Sequence, residues 1–369
     1  MAASLFDPVR LCDVTLVNRI AMAPMTRSRA DAQAVPSPHA AEYYAQRASA
    51  GVVISEAIGI SAQSLGYPRT PGIWTEAQQA AWREITGAVH ARGGRMIAQL
   101  WHVGRVFSTA NNPEGLEPLA PSAIAAKGEI YTLRGPEPLP EPRAMTLAQI
   151  VTTIEDFAAA AAAAFAAGFD GVEIHGANGY LVEQFLSDQA NRRDDSYGGD
   201  ATGRLRFLSD VLDAIAARCG DLCRVGLRLS PFGDFNGLRH SDPAAAFASA
   251  AGLLAARGGA YLHVIEPEVS GDSDRRGATD GLDVLAFARR HFDGKLMTAG
   301  GYDGARAKAA IAAGRADLIA FGRPFISNPD LPERLRLGID LADWDRRTFY
   351  SKGPRGYVDY PAATGQSVE

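Results

Sequence analysis

"KLMTAGGYDGARAKAAIAAGRADLIAFGR", residues 295–323, runs from an apolar stretch through an alanine-rich stretch into a second apolar stretch. The outer runs, 295–301 and 317–323, are short and almost continuously apolar, as parallel strands covered on both faces are. The segment between them, 303–313, is built from helix formers. Strand, helix and strand make one β–α–β step. Six further apolar runs precede it, at 18–24, 51–58, 95–100, 171–175, 224–230 and 261–266. Segments 75–91, 146–167, 204–218, 244–256 and 281–291 predict helices. Eight β–α alternations specify an α/β fold of the (β/α)8 TIM-barrel type, and barrels routinely run past the usual domain length, so 1–369 is expected to be a single domain. A doubly wound sheet competes, but no G-x-G-x-x-G follows the first strand.

Three segments lie outside the repeating unit. "FDPVRLCDVTLVN", 6–18, alternates like a β-hairpin placed to close the barrel's bottom. Residues 102–145 carry prolines at 113, 118, 121, 136, 138, 140 and 142 and form a long excursion after the third strand, where a short loop would suffice. An excursion from a strand's C-terminal end points toward function. The seven alanines at 158–164 follow "TIEDF" and precede "GFD", which is packing-helix chemistry. No fixed-period repeat is visible.

Composition narrows the function. Hydrophobic residues at 47% and charged residues at 21% suit a globular chain with a sizeable core. A formal net charge of -5, without a basic block, excludes a footprint for nucleic acid or an anionic membrane. Neither a signal peptide nor an uncharged stretch of about 18 residues is present, so no membrane partner is expected. Cys12, Cys219 and Cys223 lack metal-ligand spacing and are odd in number, which argues against a disulfide framework, a structural zinc and an iron–sulfur cluster. A reducing cytoplasm is the expected location, and small-molecule chemistry the expected work.

In such a barrel the active site lies at the C-terminal ends of the strands. Thr26 follows the first strand, Gln99 and His102 flank the end of the third, His175, Asn178 and Tyr180 follow the fourth, and Arg228 lies in the fifth. Gly300 and Gly301 follow the seventh, Gly322 and Arg323 the eighth. Glycines there, with an arginine opening a helix, match the phosphate site many barrels build from backbone N–H groups; simple turning of the chain is the alternative for each glycine. Arg228 sits in the apolar "VGLRLSP" and needs a partner, an anionic or carbonyl-rich ligand or a core carboxylate such as Glu173.

"APMTRSRA" (23–30), "GYPRTPGIWT" (66–75), "AQLWHVGR" (98–105), "HGANGYLVEQFLSDQANRRDDSYGG" (175–199) and "FGRPFISNPDLP" (321–332), with "YVDYP" near the end, resemble the old yellow enzyme family of flavin-dependent ene-reductases along essentially the whole chain. The resemblance implies non-covalent FMN over the barrel mouth and NADPH or NADH as reductant. Thr26 would bond the flavin near O4, Gln99 its pyrimidine edge and Arg228 its N1/O2 side, where a cation stabilises the reduced flavin. Pro24 and Ala57 would add contacts, and Gly300, Gly301, Gly322 and Arg323 would hold the phosphate. His175 and Asn178 would donate to the oxygen of an activated alkene (enone, maleimide or nitroalkene), stabilising charge that develops when hydride reaches the β-carbon. Tyr180 would give a proton to the α-carbon from the face opposite the flavin, making net addition trans. Tyr67, Trp101 and Tyr350 would shape the substrate side. Thr26 stands where another branch of the family carries cysteine. Ala201, Thr202 and Gly203 depart from the family's acidic residue and asparagine, which concerns helix capping rather than chemistry. The assembly would be a monomer or homodimer.

Rival classes remain at this level. Glu173, His175, His263 and Glu266 could sketch a metal-dependent barrel hydrolase or aldolase, although this explains neither Arg228 nor the phosphate loops. A non-catalytic ligand-binding barrel would leave Tyr180 without a purpose. Within flavin barrels, a single-domain amine demethylase is the alternative, since relatives with an iron–sulfur segment and a second nucleotide domain need more chain and more cysteine.

Overall fold

The computed structural model describes residues 2–271, 273–274 and 283–363. An antiparallel hairpin, β1 (Val9–Leu11) and β2 (Val14–Leu16), comes first. The barrel strands are β3 (Ile20–Met22), β4 (Val52–Gly59), β5 (Met96–Trp101), β10 (Gly171–Gly176), β11 (Val225–Leu229), β12 (Tyr261–Ile265), β15 (Lys295–Ala299) and β16 (Leu318–Phe321). They close in the order β10-β11-β12-β15-β16-β3-β4-β5, each pair parallel. Helices α2 (Glu76–Ala91), α3 (Leu147–Ala166), α5 (Ala201–Cys219), α6 (Pro243–Ala256), α7 (Val284–His291) and α8 (Gly304–Ala312) fall where the sequence predicts helices. Residues 281–282 of the predicted 281–291 helix lie outside the described residues, and α7 opens after its cap Asp283, whose carboxylate accepts from the Ala286 N–H. The shorter helices are α1 (Ala40–Ala45), α4 (Leu181–Leu186), α9 (Arg323–Ser327) and α10 (Leu331–Leu337).

Strand alternation sorts the core into two layers. One set, including Ala21, Ile54, Ile97, Tyr261, Met297 and Leu318, clusters with Val9, Leu11 and Leu16 of the hairpin, which plugs the bottom as expected. The other set packs against the helices. The alanine run belongs to that layer: Phe157, Ala158, Ala160, Ala161 and Ala164 are buried, so the length and apolarity of α3 serve packing against the barrel. Asp200 caps α5 by accepting from the Gly203 N–H at 2.8 Å. A Cβ on Gly203 would stand 2.0 Å from the Gly198 carbonyl oxygen, so the departure at 201–203 is tied to this close approach.

The excursion is not structureless. It folds into β6 (Leu119–Ala120) paired with β9 (Arg143–Ala144), and a hairpin of β7 (Glu129–Thr132) and β8 (Gly135–Pro138). After β12, a further short pair joins β13 (Val269–Ser270) to β14 (Ser273–Asp274).

The cysteine expectation is corrected. Cys12, in the turn of the first hairpin, is disulfide-bonded to Cys223 just before β11, while Cys219 is free. Barrel closure sets the hairpin turn beneath the start of β11, and the Asp13–Arg224 ion pair fastens the same spot. Residue spacing could not reveal a pairing across a separation of 211 residues, and the cysteine argument for a reducing compartment falls away.

Candidate active site

The barrel register brings the polar residues of neighbouring strands side by side at one mouth. Gln99 lies opposite Glu173 and beside Ala57, where a bulge between Ile54 and Ala57 re-aims β4. His175 pairs with Arg228, which pairs in turn with His263. Glu173 is fully buried and accepts from Gln99 Nε2 at 2.7 Å, Tyr261 OH at 2.9 Å and His263 Nδ1 at 2.9 Å. Burial would push its carboxyl up, yet the His263 bond, the nearby Arg228 charge and the Gln99 donor outweigh it and hold it down at about 2. Glu173 is therefore ionised and fully engaged.

That settles the two readings of Arg228 as far as Glu173 is concerned. Among the described residues no ion pair within 4 Å joins them, and the buried Arg228 Nε has no hydrogen-bond partner. An orphaned donor of a charged group, aimed where strand ends meet, fits an anionic or carbonyl-rich ligand such as a flavin's pyrimidine edge. The residues sketched as a metal set do not converge: Glu173 is occupied as above, and Glu266 accepts from Thr298, Tyr302 and Arg306.

The loop after β10 carries the remaining groups. His175 is buried, and its Nδ1 accepts from the Ala177 N–H at 3.4 Å, which leaves the neutral ring's proton on Nε2. Burial, then the Arg228 charge, depresses its pKa well below the usual value, so it stays neutral around pH 7. Asn178 has φ 60°, a left-handed conformation asparagine tolerates. Its N–H donates to Ser230 Oγ at 2.9 Å, and Glu183 Oε2 accepts from both Ser230 Oγ and the Gly179 N–H.

Tyr180 immediately precedes α4 and is 8% exposed. Its ring meets those of Trp101 at 5.1 Å and His175 at 5.0 Å edge-on, and its hydroxyl lies 3.3 Å from that of Tyr67. Burial first, then Tyr67, raises its pKa well above the ordinary value, with Tyr350 also contributing, so it keeps its proton. Tyr67 stacks on Trp101 at 5.6 Å. Val103, Val106, Phe107, Ile130 and Leu139 of the excursion pack over Trp101 and Tyr180, giving the long insertion a place beside the site. Tyr350 stands at the rim, 48% exposed.

Pro24 and Thr26 are half-buried in the loop after β3. Gly300 is needed for close packing as well as turning, because a Cβ there would stand 2.7 Å from Glu266 Cβ, while Gly301 has φ 66°. Gly322 precedes α9, and the Arg323 guanidinium lies over Trp344 at 5.3 Å.

Sequence reasoning passed over Asn236. Its Nδ2 donates to the Asn178 carbonyl at 2.9 Å, which ties it to the loop that carries Tyr180. The Asn236-Gly237 dipeptide, both at positive φ, was the available signal of a tight turn after β11. Glu56 was also passed over. It lies at the bulge beside Ala57, and its Oε2 accepts from the Arg27 N–H at 3.1 Å. Burial raises its carboxyl to about 7 against the opposing Arg27 N–H. A folded-state pKa above the unfolded value adds stability that is full below about 4.5 and lost as pH rises through 7. Wild-type stability is expected to fall by roughly 2 kcal/mol from this group between about pH 5 and pH 7. Urea melts of Glu56→Gln across that range should lack this slope.

These features define a (β/α)8-barrel oxidoreductase. The chain belongs to the NADH:flavin oxidoreductase / NADH oxidase family, whose model matches residues 4–342, and its structural relatives are old yellow enzymes. It is similar to the old yellow enzyme homologue of Zymomonas mobilis, at 45% identity and TM-score 0.92, covering 97% of this chain and 99% of that one. Morphinone reductase in complex with tetrahydroNAD is 45% identical at TM-score 0.89, covering 98% of each chain. 12-Oxophytodienoate reductase 1 of Oryza sativa subsp. japonica is 44% identical over 367 residues, 98% of this chain and 93% of that protein.

Proposed function

We propose that this flavin oxidoreductase reduces activated C=C bonds of enones, maleimides and nitroalkenes, with non-covalent FMN as cofactor and NADPH or NADH as reductant. The observation that carries this reading is a buried tyrosine that keeps its proton, Tyr180, standing against His175 and Trp101 at the barrel mouth that also holds the orphaned Arg228 Nε. The resemblance to reductases, one of them solved with tetrahydroNAD, supports it.

Pro24, Thr26, Ala57, Gln99 and Arg228 would hold the flavin ring, and Gly300, Gly301, Gly322 and Arg323 would hold its phosphate. When bound, FMN would supply the hydride chemistry at the alkene's β-carbon. His175 Nε2–H and the Asn178 amide donate to the carbonyl or nitro oxygen, where charge then develops. Tyr180 delivers its proton to the α-carbon, and Tyr67, whose hydroxyl lies 3.3 Å away, fixes the direction of the hydroxyl. Trp101, Tyr67 and Tyr350 form the wall along a flat substrate.

The test is anaerobic reduction of the purified, FMN-loaded protein with NADPH, removal of excess, and mixing with 2-cyclohexenone. Bleaching by NADPH and return of the oxidised flavin spectrum with enone are expected. A protein that takes up no FMN would sink the proposal, whereas a flavin that NADPH bleaches and no enone restores would favour amine oxidation on the same barrel.

A further inference from the structure

"GYPRTPGIWT" contains an arginine that the proposed reaction does not use. Arg69, two residues beyond Tyr67, spans two separate pieces of chain: its Nε donates to the Ser28 carbonyl at 2.8 Å and its Nη2 to the Tyr350 carbonyl at 2.8 Å. Arg69 and Ser28 both hold left-handed backbone, φ 54° and 52°, a conformation that persists only where surrounding contacts over-determine it.

The stretch held by Arg69 is otherwise poor in regular structure. From Phe349 to Tyr357 it has no helix or strand, so its carbonyls need other partners. Two arginines of the loop after β3 supply them. Arg29 donates to the carbonyls of Thr348, Phe349, Gly353 and Arg355 and to Ser351 Oγ, all between 2.9 and 3.1 Å. Arg27 donates to the carbonyls of Phe349 and Gly356. These bonds anchor the stretch along its length, Phe349 and Ser351 on either side of Tyr350 included, to the loop of Thr26. The bond from Arg69 is different in kind, because it joins the Tyr350 backbone to the loop of Tyr67, whose hydroxyl touches Tyr180. Tyr350 thus has an exposed side chain on a pinned backbone.

We infer that Arg69 is a positioning residue for substrate selection, fixing the distance between the Tyr350 stretch and the Tyr67 loop and so the width of the mouth above Tyr180. The inference rests on the alkene-reductase reading. It predicts that Arg69 governs which alkenes fit, while proton delivery from Tyr180 is left in place.

The test compares wild type, Arg69→Ala, Arg69→Lys, Tyr350→Ala and the Arg69→Ala/Tyr350→Ala double variant as FMN-loaded proteins. The substrates are 2-cyclohexenone and a bulkier ring-substituted cyclohexenone. Arg69→Ala should raise KM for the enones by about tenfold and alter the preference between them, with kcat changed by about twofold at most. Arg69→Lys should recover part of the KM, and the double variant should match Tyr350→Ala rather than sum the two effects. Amide hydrogen exchange supplies a readout without turnover: 349–357 should exchange faster in Arg69→Ala. Unchanged exchange, or additive effects in the double variant, overturns the role of Arg69. Wild-type protein that never passes electrons to either enone overturns the alkene reading instead, and the exchange result still decides the tether.

Discussion

Tyr180→Phe is expected to slow alkene reduction by about 10²–10⁴-fold, the range general-acid catalysis contributes, while NADPH still bleaches the flavin. The substitution deletes one hydroxyl. The phenyl ring keeps the edge contacts with Trp101 and His175, so the barrel mouth should retain its shape. What is lost is a proton source whose burial and tyrosine neighbour keep it un-ionised. The neighbouring Tyr67 hydroxyl, 3.3 Å away, is a poor substitute because its ring is held in a stack on Trp101. Stopped-flow measurement of both half-reactions separates the outcomes. Alkene reduction that proceeds undiminished in the variant would remove Tyr180 from the proton step. Loss of both half-reactions would mean that the hydroxyl serves nicotinamide binding as well. The same logic fixes a pH signature: with His175 held neutral and Tyr180 protonated, neither group should produce an inflection near pH 6.5 in alkene reduction.

The barrel was legible because its evidence is local. Apolar runs such as 95–100 and 171–175 match β5 and β10 to within a residue or two, since parallel strands buried on both faces announce themselves without reference to the rest of the chain. Thr75 and Thr146, which cap α2 and α3 in capping boxes, mark the helix starts equally locally. The site residues were legible in kind, as polar groups at strand ends, and the register does set Gln99, His175 and Arg228 around one mouth. Their partners were not legible. Whether Glu173 faces Arg228 or is taken up by His263, Tyr261 and Gln99 depends on stagger between strands, which no single strand encodes. The Cys12–Cys223 bond and the reach of Arg29 into 348–355 are likewise products of closure: each joins chain segments that meet only once the barrel is complete.

Glu173→Gln is expected to destabilise the protein by about 3–5 kcal/mol, the usual result of stripping the charge from one member of a buried polar network. Shape is nearly conserved, so packing is not the cause. The wild-type carboxylate accepts three hydrogen bonds and uses no donor of its own. A glutamine must turn its own NH2 toward one of those three groups: Gln99 Nε2 can only donate, and Tyr261 or His263 could accept only by re-aiming its hydroxyl or moving its proton to Nε2, so at least one of the three bonds must be remade at a cost. Arg228, buried and without a partner for its Nε, would also lose the carboxylate that most favours its charge. Linkage gives an independent check. A folded-state pKa of about 2 lies below the unfolded value, so Glu173 contributes stability that is present above about pH 4.5 and lost as pH falls toward 2. The variant should therefore differ most from wild type near neutrality and converge with it in acid. Urea denaturation at pH 7 and at pH 3 measures both. A variant as stable as wild type at pH 7 would mean that the three donors rearrange around an uncharged group at little cost, and that Arg228 does not depend on Glu173. The same substitution reaches the cofactor side, because Gln99 is aimed by its 2.7 Å bond to Glu173. Weaker FMN retention in Glu173→Gln, with Tyr180 chemistry otherwise intact, would tie the buried network to the orientation of the ring-binding residues.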